Sequence, residues 1–142
     1  MKNHKYIWSE KLPRDAATIR TTVFVDEQGY APDVVFDDLD AKALHIVLYE
    51  DNIPVATGRT IEETPAVYRF GRIAVISEFR KHGLGARVMY LMEEKVKSLN
   101  AAKVILSAQS HGLGFYEKCG YHIIGEEYLI HGEPHINMEK TL

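Results

Sequence analysis

Three features are scarce in this chain of 142 residues, and each scarcity excludes a class of protein. Cys119 is the single cysteine, so no intramolecular disulfide can form and a reducing, cytoplasmic setting is expected. No stretch approaches the roughly 18 consecutive apolar residues of a membrane span, and the polar N-terminus lacks the apolar segment of a signal peptide. The formal net charge of only −3 argues against a nucleic-acid partner.

What the sequence does contain is typical of a folded globular protein. Hydrophobic residues make up 46% of the chain and charged residues 26%, and both values are close to the globular average. A chain of this length can bury one ordinary hydrophobic core without disulfides or structural metals. We therefore predict one domain over residues 1–142.

Hydrophobic periodicity predicts alternating strands and helices. The strand–helix–strand unit from 67 to 108 returns the chain in the same direction and implies at least one parallel strand pair. The three consecutive strands between 44 and 76 are predicted to be antiparallel. The predicted fold class is α/β, with a single mixed, mostly antiparallel sheet flanked by helices. The predicted strands are Tyr6–Trp8, Leu44–Tyr49, Ile53–Glu62, Val67–Ile76, Lys103–Ala108, Tyr121–Tyr128 and His135–Glu139, and the helices are Pro13–Val25, Gly83–Leu99 and His111–Lys118.

One loop carries a pattern typical of anion binding. Gly83 and Gly85 lie between a predicted strand and a predicted helix, with Arg80 and Lys81 beside them and no acidic residue from 79 to 92. Glycines allow backbone N–H groups to approach a ligand, and a helix N-terminus adds partial positive charge. The pattern favours a phosphate or pyrophosphate, although glycines at a helix start can also serve packing alone. Val88 stands where a dinucleotide-binding loop needs a small residue, so that class is disfavoured.

Several segments together resemble the GNAT superfamily of N-acetyltransferases. Arg80-x-x-Gly83-x-Gly85, following Ile73-Ala74-Val75, resembles its acetyl-CoA loop. Phe115-Tyr116-Glu117-Lys118-Cys119-Gly120-Tyr121 resembles its Tyr-Glu-Lys-x-Gly-Phe element. Further segments resemble the ElaA-like branch of the superfamily: Val23–Gly29, Ala108-Gln109 and Glu133–Met138.

This resemblance implies a GNAT-like sheet with a splayed central strand pair and a site for acetyl-CoA as cosubstrate. It implies that pantetheine pairs with Ile73–Val75 and that the Val75 N–H polarises the thioester carbonyl, while amides from Lys81 to Ala86 hold the pyrophosphate. Tyr116 occupies the position of the tyrosine that protonates the departing thiolate; an aromatic side chain packed on the sheet is the alternative. The implied cofactor-binding residues are Ile73, Ala74, Val75, Arg80, Lys81, His82, Gly83, Leu84, Gly85, Ala86, Gln109 and Phe115.

The general base is not evident from the motifs. Many relatives carry a glutamate on the strand before the cofactor loop, but the segment 68–73 contains no acid. His135 and Glu27 are the candidates, because histidine titrates near physiological pH and burial can raise a carboxyl pKa. A metal held by His131 and His135 is disfavoured, since the glycine and proline between them argue against the helix that would align these side chains.

The segment from 26 to 40 carries six acidic residues and no lysine or arginine. It is interpreted either as a solvated loop or as a region that attracts a cationic amine.

The resemblance implies an N-acetyltransferase that transfers acetyl from acetyl-CoA to the primary amine of a small acceptor by direct attack. A non-catalytic acyl-CoA sensor of the same fold and a purely structural domain remain alternatives, and the protein is expected as a monomer or homodimer.

Overall fold

The computed structural model describes residues 2–142 and contains one seven-stranded sheet. Its strand order is β1-β2-β3-β4-β5-β7-β6, in which β4 and β5 are parallel and the other neighbours antiparallel. The predicted mixed sheet and its one parallel pair are confirmed. The strands are β1 (His4–Ser9), β2 (Leu44–Glu50), β3 (Ile53–Thr64), β4 (Val67–Val75), β5 (Lys103–Gln109), β6 (His122–Ile130) and β7 (Glu133–Thr141).

Helices cover both faces of this sheet. The first begins after Pro13 as α1 (Arg14–Arg20) and continues as a π-helical segment, Thr21–Glu27. Two short turns follow, α2 (Pro32–Val35) and a 3-10 turn at Asp38–Lys42. The others are α3 (Leu84–Ser98) and α4 (Leu113–Lys118). No helix within residues 2–142 is long and apolar enough to span a membrane.

A bulge in β4 changes which face of the sheet its side chains reach. Arg59 pairs with Gly71 and Thr57 with Ala74, so Arg72 and Ile73 together lie opposite the single residue between 57 and 59. Residues four apart on a regular strand share a face, but Phe70 packs in the core under α3 whereas Ala74 packs under α1. The bulge therefore supplies apolar contacts to both helical layers from one strand.

The parallel pair at the centre of the sheet separates before either strand ends. Its pairing stops at Phe70 and Leu106, although β4 continues to Val75 and β5 to Gln109. The expected splayed central pair is thus present. Backbone groups on the inner edges beyond this point lack a strand partner, which leaves them available to a ligand.

Candidate functional site

The gap between the splayed strands opens into a cavity of about 870 Å³. One wall consists of β4, the following loop and the start of α3. The opposite wall comes from the end of β5, α4 and the β6–β7 hairpin, and the segment after α1 lies across the gap. Every residue proposed for the site on sequence grounds lines this cavity except His82 and Glu27.

The end of β4 presents one unpaired backbone donor to the gap. The Ile76 N–H donates to Val55 O on β3 at 2.9 Å. Because N–H groups alternate in direction along a strand, the Val75 N–H faces away from β3 and toward the splayed β5. The Val75 carbonyl, on that same edge, accepts from Arg80 Nε at 2.9 Å. The amide is therefore held in a fixed position with no strand to pair with it.

The start of α3 has the features of an anion site. Gly83 precedes the helix with φ +75°, a left-handed conformation that glycine adopts without strain, and no protein atom lies within 4 Å of a Cβ built there. The first turn of α3 contains no acidic residue and no side chain caps it. Its leading N–H groups have no acceptor within the helix, and the helix dipole favours negative charge there.

Arg80 ties this loop to the end of the first helix. Its two terminal nitrogens donate to the Glu27 carboxylate at 2.6 and 2.7 Å. The hydrogen bonds from Arg80 lower the pKa of Glu27. A carboxylate with a lowered pKa is a weak base, so this pairing argues against the expected role of Glu27 as general base. Glu27 instead lines a smaller polar recess beside the cavity, and His82 is exposed on the loop.

Tyr116 reaches the cavity from α4. Burial raises its pKa to about 12, so its hydroxyl is protonated throughout the physiological range. Its ring packs edge-on against Phe115 and Tyr121, with centroids 5.1 and 6.3 Å away. These contacts fix the position of the ring, so Tyr116 does have the packing role considered for it. Its protonated hydroxyl can act as a hydrogen-bond donor at the same time.

His135 lies on β7 at the opposite wall and is only 8% exposed. Its Nδ1 lies 2.9 Å from the Glu133 carbonyl oxygen. A carbonyl oxygen only accepts, so Nδ1 carries the proton of the neutral ring and Nε2 keeps a free lone pair. Beside it, the Gln109 side-chain amide donates to the Tyr30 hydroxyl and thereby joins the end of β5 to the segment after α1.

A buried set of charges supports the cavity on the side of α1 and α2. The Asp40 carboxylate accepts from Arg20 and Arg59 at 2.9 and 2.8 Å, and Asp37 accepts from Arg59 at 2.7 Å and from Arg72 at 3.0 Å. Burial would raise the pKa of Asp40, but the two guanidinium groups outweigh it and leave that pKa lowered. We call these five residues the arginine–aspartate cluster.

Arg72 is the member of the cluster that combines strain with access to the cavity. Its φ of +52° is left-handed, which is uncommon outside glycine. Nε donates to the Val35 carbonyl at 2.9 Å, and Nη2 donates to the Val34 carbonyl and the Asp37 carboxylate at 3.0 Å each. The side chain is 27% exposed and lines the cavity together with Asp37.

This cluster corrects the interpretation of the acidic segment 26–40. Asp37 and Asp40 are not free to attract a cation, because arginines distant in sequence neutralise them. Glu27 is likewise paired with Arg80. Three of the six acidic residues are therefore paired, whereas the other three are exposed and form no salt bridge within residues 2–142: Asp26, Asp38 and Asp33, which also lines the cavity.

The comparison with known proteins identifies the family. A model of the acetyltransferase (GNAT) domain matches residues 15–142. The chain belongs to the GNAT acetyltransferase family. It is 34% identical to the uncharacterised N-acetyltransferase YjcF of Bacillus subtilis, over 93% of this chain and 94% of that protein.

Two solved structures share this GNAT fold over nearly their whole length. An acyl-CoA N-acyltransferase from Pseudomonas aeruginosa superimposes with a TM-score of 0.84 and 27% identity, covering 97% of this chain and 99% of that one. Escherichia coli ElaA gives a TM-score of 0.83 and 26% identity, with 99% of each chain covered. The resemblance to the GNAT superfamily and its ElaA-like branch is confirmed.

Sequence motifs do not identify several residues that line the GNAT cavity here. Arg72, Asp37 and Tyr30 lie outside every segment that carries the resemblance. One signal was available for Arg72: the pair Gly71-Arg72 interrupts an apolar β run, and such an interruption is typical of a bulge. No local signal marks Asp37 or Tyr30, because their partners lie far away in sequence.

Proposed function

We propose that this chain is an acetyl-CoA-dependent N-acetyltransferase that acts by direct attack of a small primary amine on the thioester. The free Val75 N–H between splayed strands is the observation that carries the proposal. A backbone donor fixed in this way can stabilise the charge that develops on a thioester oxygen. The names of the Pseudomonas aeruginosa and Bacillus subtilis relatives agree with this chemistry.

The cofactor half of the cavity fits an acyl-CoA. Ile73–Val75 offer an unpaired strand edge to the amide groups of pantetheine, and the amides from Lys81 to Ala86 offer donors to a pyrophosphate. Bound acetyl-CoA supplies the activated acetyl group. Arg80 acts mainly as a positioning residue here, because Glu27 neutralises its charge and the Val75 carbonyl accepts from its Nε.

Proton transfer is assigned to Tyr116 and His135, which line the same cavity. His135 Nε2 accepts the proton that the acceptor ammonium must lose before its nitrogen can attack. The new C–N bond forms as the C–S bond breaks, and the Tyr116 hydroxyl gives its proton to the departing thiolate. The acylated nitrogen then loses its second proton to the Tyr116 phenolate, so the products are the amide and the free thiol. His135 replaces the missing strand acid as the base in this proposal, whereas Glu27 does not.

The test combines calorimetry with a thiol-release assay. Tyr116→Phe is expected to keep the affinity for acetyl-CoA and to lower kcat with the best amine about 10²-fold, the lower limit for loss of a general acid. Tyr90→Phe is the matched control, because Tyr90 lies on α3 and is 58% exposed. The control should retain wild-type kcat.

Two outcomes would contradict the proposal at different levels. Absence of acetyl-CoA binding at high micromolar concentration would refute any acyl-CoA function. Binding without thiol release across amino acids, polyamines, amino sugars and aminoglycosides would instead favour the acyl-CoA sensor. An unchanged kcat for Tyr116→Phe across the pH range would remove Tyr116 from the proton path.

A further inference from the structure

We propose that Arg72 binds a carboxylate of the acceptor, so that the preferred substrates are amines carrying a carboxylate, such as amino acids. This inference rests on the proposed acetyltransferase function and specifies its substrate class. It depends on the charge balance of the arginine–aspartate cluster and on the donors that Arg72 leaves unused.

The cluster holds more positive than negative charge. Three guanidinium groups, those of Arg20, Arg59 and Arg72, face two carboxylates, those of Asp37 and Asp40, which leaves one positive charge without a counterpart. His45, which also contacts Arg20, does not change this balance, because burial lowers its pKa and keeps it neutral. Buried charge is costly unless it is paired.

Of the three arginines in the cluster, Arg72 is the one that lines the cavity. Arg20 is fully buried and Arg59 is 6% exposed, whereas the Arg72 side chain is 27% exposed and lines the cavity. Burial and the charge of Arg59 lower the pKa of Arg72, and burial lowers the pKa of Arg20 as well, as expected where positive charge exceeds negative charge. In contrast, Asp37 and Asp40 outweigh burial and raise the pKa of Arg59.

The guanidinium of Arg72 is held in place with donors to spare. A guanidinium has five N–H groups. Three donate to Val35 O, Val34 O and Asp37, which leaves the two on Nη1 without a protein partner among residues 2–142. These contacts fix the group in advance, so a ligand does not have to order it. Such an oriented, charged donor recognises an anion by charge-assisted hydrogen bonds.

The single excess positive charge of the cluster favours a carboxylate ligand over a phosphate. A carboxylate carries one negative charge, which matches the single excess positive charge, while a phosphate monoester carries about 1.5 to 2 at neutral pH. The acceptor must also carry the amine that attacks the thioester. A small molecule that carries both an amine and a carboxylate can attack the thioester and also pair with Arg72.

The experiment measures kcat/KM by thiol release for matched amine pairs that differ in one carboxylate. L-Phenylalanine is compared with 2-phenylethylamine, and L-lysine with 1,5-diaminopentane, while O-phosphoethanolamine tests a phosphate. We expect the carboxylated member to react at least about tenfold better, the effect of one charge-assisted contact. Arg72→Gln should lower kcat/KM by about 10- to 100-fold for the carboxylated member alone, mainly through KM.

Two further variants separate recognition from folding. Arg72→Lys keeps the charge but loses the planar set of donors, and we expect intermediate discrimination. Arg14→Gln removes one arginine from the exposed start of α1 and should retain the wild-type preference. If Arg72→Gln does not fold, kcat/KM of the wild-type protein and of Arg72→Lys for the same amine pairs still tests whether Arg72 recognises the carboxylate.

The possible failures are distinguishable. Thiol release without preference for carboxylated amines, or an equal loss for both members of a pair in Arg72→Gln, would overturn the inference and leave the acetyltransferase proposal intact. A preference for O-phosphoethanolamine over the amino acids would overturn the assignment of a carboxylate. Absence of release with every amine would instead refute the proposed acetyltransferase.

Discussion

Two regions that border the cavity are built in contrasting ways. The cofactor loop, Arg80–Ala86, is continuous in sequence and offers mainly backbone donors at the exposed start of α3. The arginine–aspartate cluster joins side chains from residues 20 to 72, and most of it is buried. Backbone recognition depends on conformation and tolerates different side chains, whereas the cluster depends on individual charged groups. Substitutions in the two regions should therefore differ in both the size and the kind of their effect.

The largest effect is expected from removing one charge of the cluster. Asp40→Asn leaves Arg20 and Arg59 without the carboxylate that both contact. Because breaking a buried ion pair strands its partner, we expect the free energy of unfolding to fall by about 3–5 kcal/mol. Urea-induced unfolding followed by circular dichroism measures this change.

Glu94→Gln provides the control for that prediction. Glu94 pairs with Lys97 on the surface of α3, and both side chains are 49% exposed. Exposed pairs of this kind contribute roughly 0.3–0.5 kcal/mol. A loss below about 1 kcal/mol in Asp40→Asn would mean that water or rearrangement satisfies the two arginines and that the cluster is not a tight unit.

The same contrast explains which parts of the molecule the sequence could predict. Gly83 and Tyr116 lie in short motifs whose elements are set by local hydrophobic periodicity, so the order of elements along the chain, the loop and the tyrosine were all accessible. Asp37 and Asp40 were not, because their partners come from α1 and β3 and no local pattern encodes such pairing. The bulge that turns Arg72 likewise depends on the register between β3 and β4.

A substitution in the cofactor loop should affect binding rather than stability. A Cβ at Gly85 would lie 3.1 Å from Cζ of Phe115, so Gly85→Ala must displace that ring or the start of α3. We expect about a tenfold loss of acetyl-CoA affinity by calorimetry, equivalent to about 1.4 kcal/mol. Stability should not fall, since alanine is favoured over glycine within a helix by roughly 1 kcal/mol.

Gly114→Ala matches this change on α4, because no atom lies within 4 Å of the added Cβ. It should show a similar gain in helix propensity with unchanged affinity. Equal affinity in Gly85→Ala and Gly114→Ala would indicate that the contact between Gly85 and Phe115 plays no part in holding the cofactor.

The smallest effect concerns the pH dependence of the cluster. His45 Nε2 lies 2.9 Å from the Asp40 carbonyl oxygen and Nδ1 lies 3.4 Å from Arg20 Nη2, which is the pattern of a neutral ring that donates to one and accepts from the other. Burial is the main cause that lowers the His45 pKa, and the charge of Arg20 adds to it. Below about pH 6.5 the unfolded chain therefore binds a proton at this position that the folded chain does not.

Stability should consequently fall as the pH decreases through this window. The contribution of His45 is at most about 1 kcal/mol between pH 6.5 and 5.5, because only one proton is involved. His45→Gln, whose amide can still donate to Asp40, should flatten the slope of unfolding free energy against pH, while His111→Gln, an exposed substitution, should not. An unchanged slope in His45→Gln would mean that the ring takes up a proton within the fold. Below about pH 6.5 the cluster would then hold two excess positive charges, and the match to a single carboxylate at Arg72 would be lost in that range.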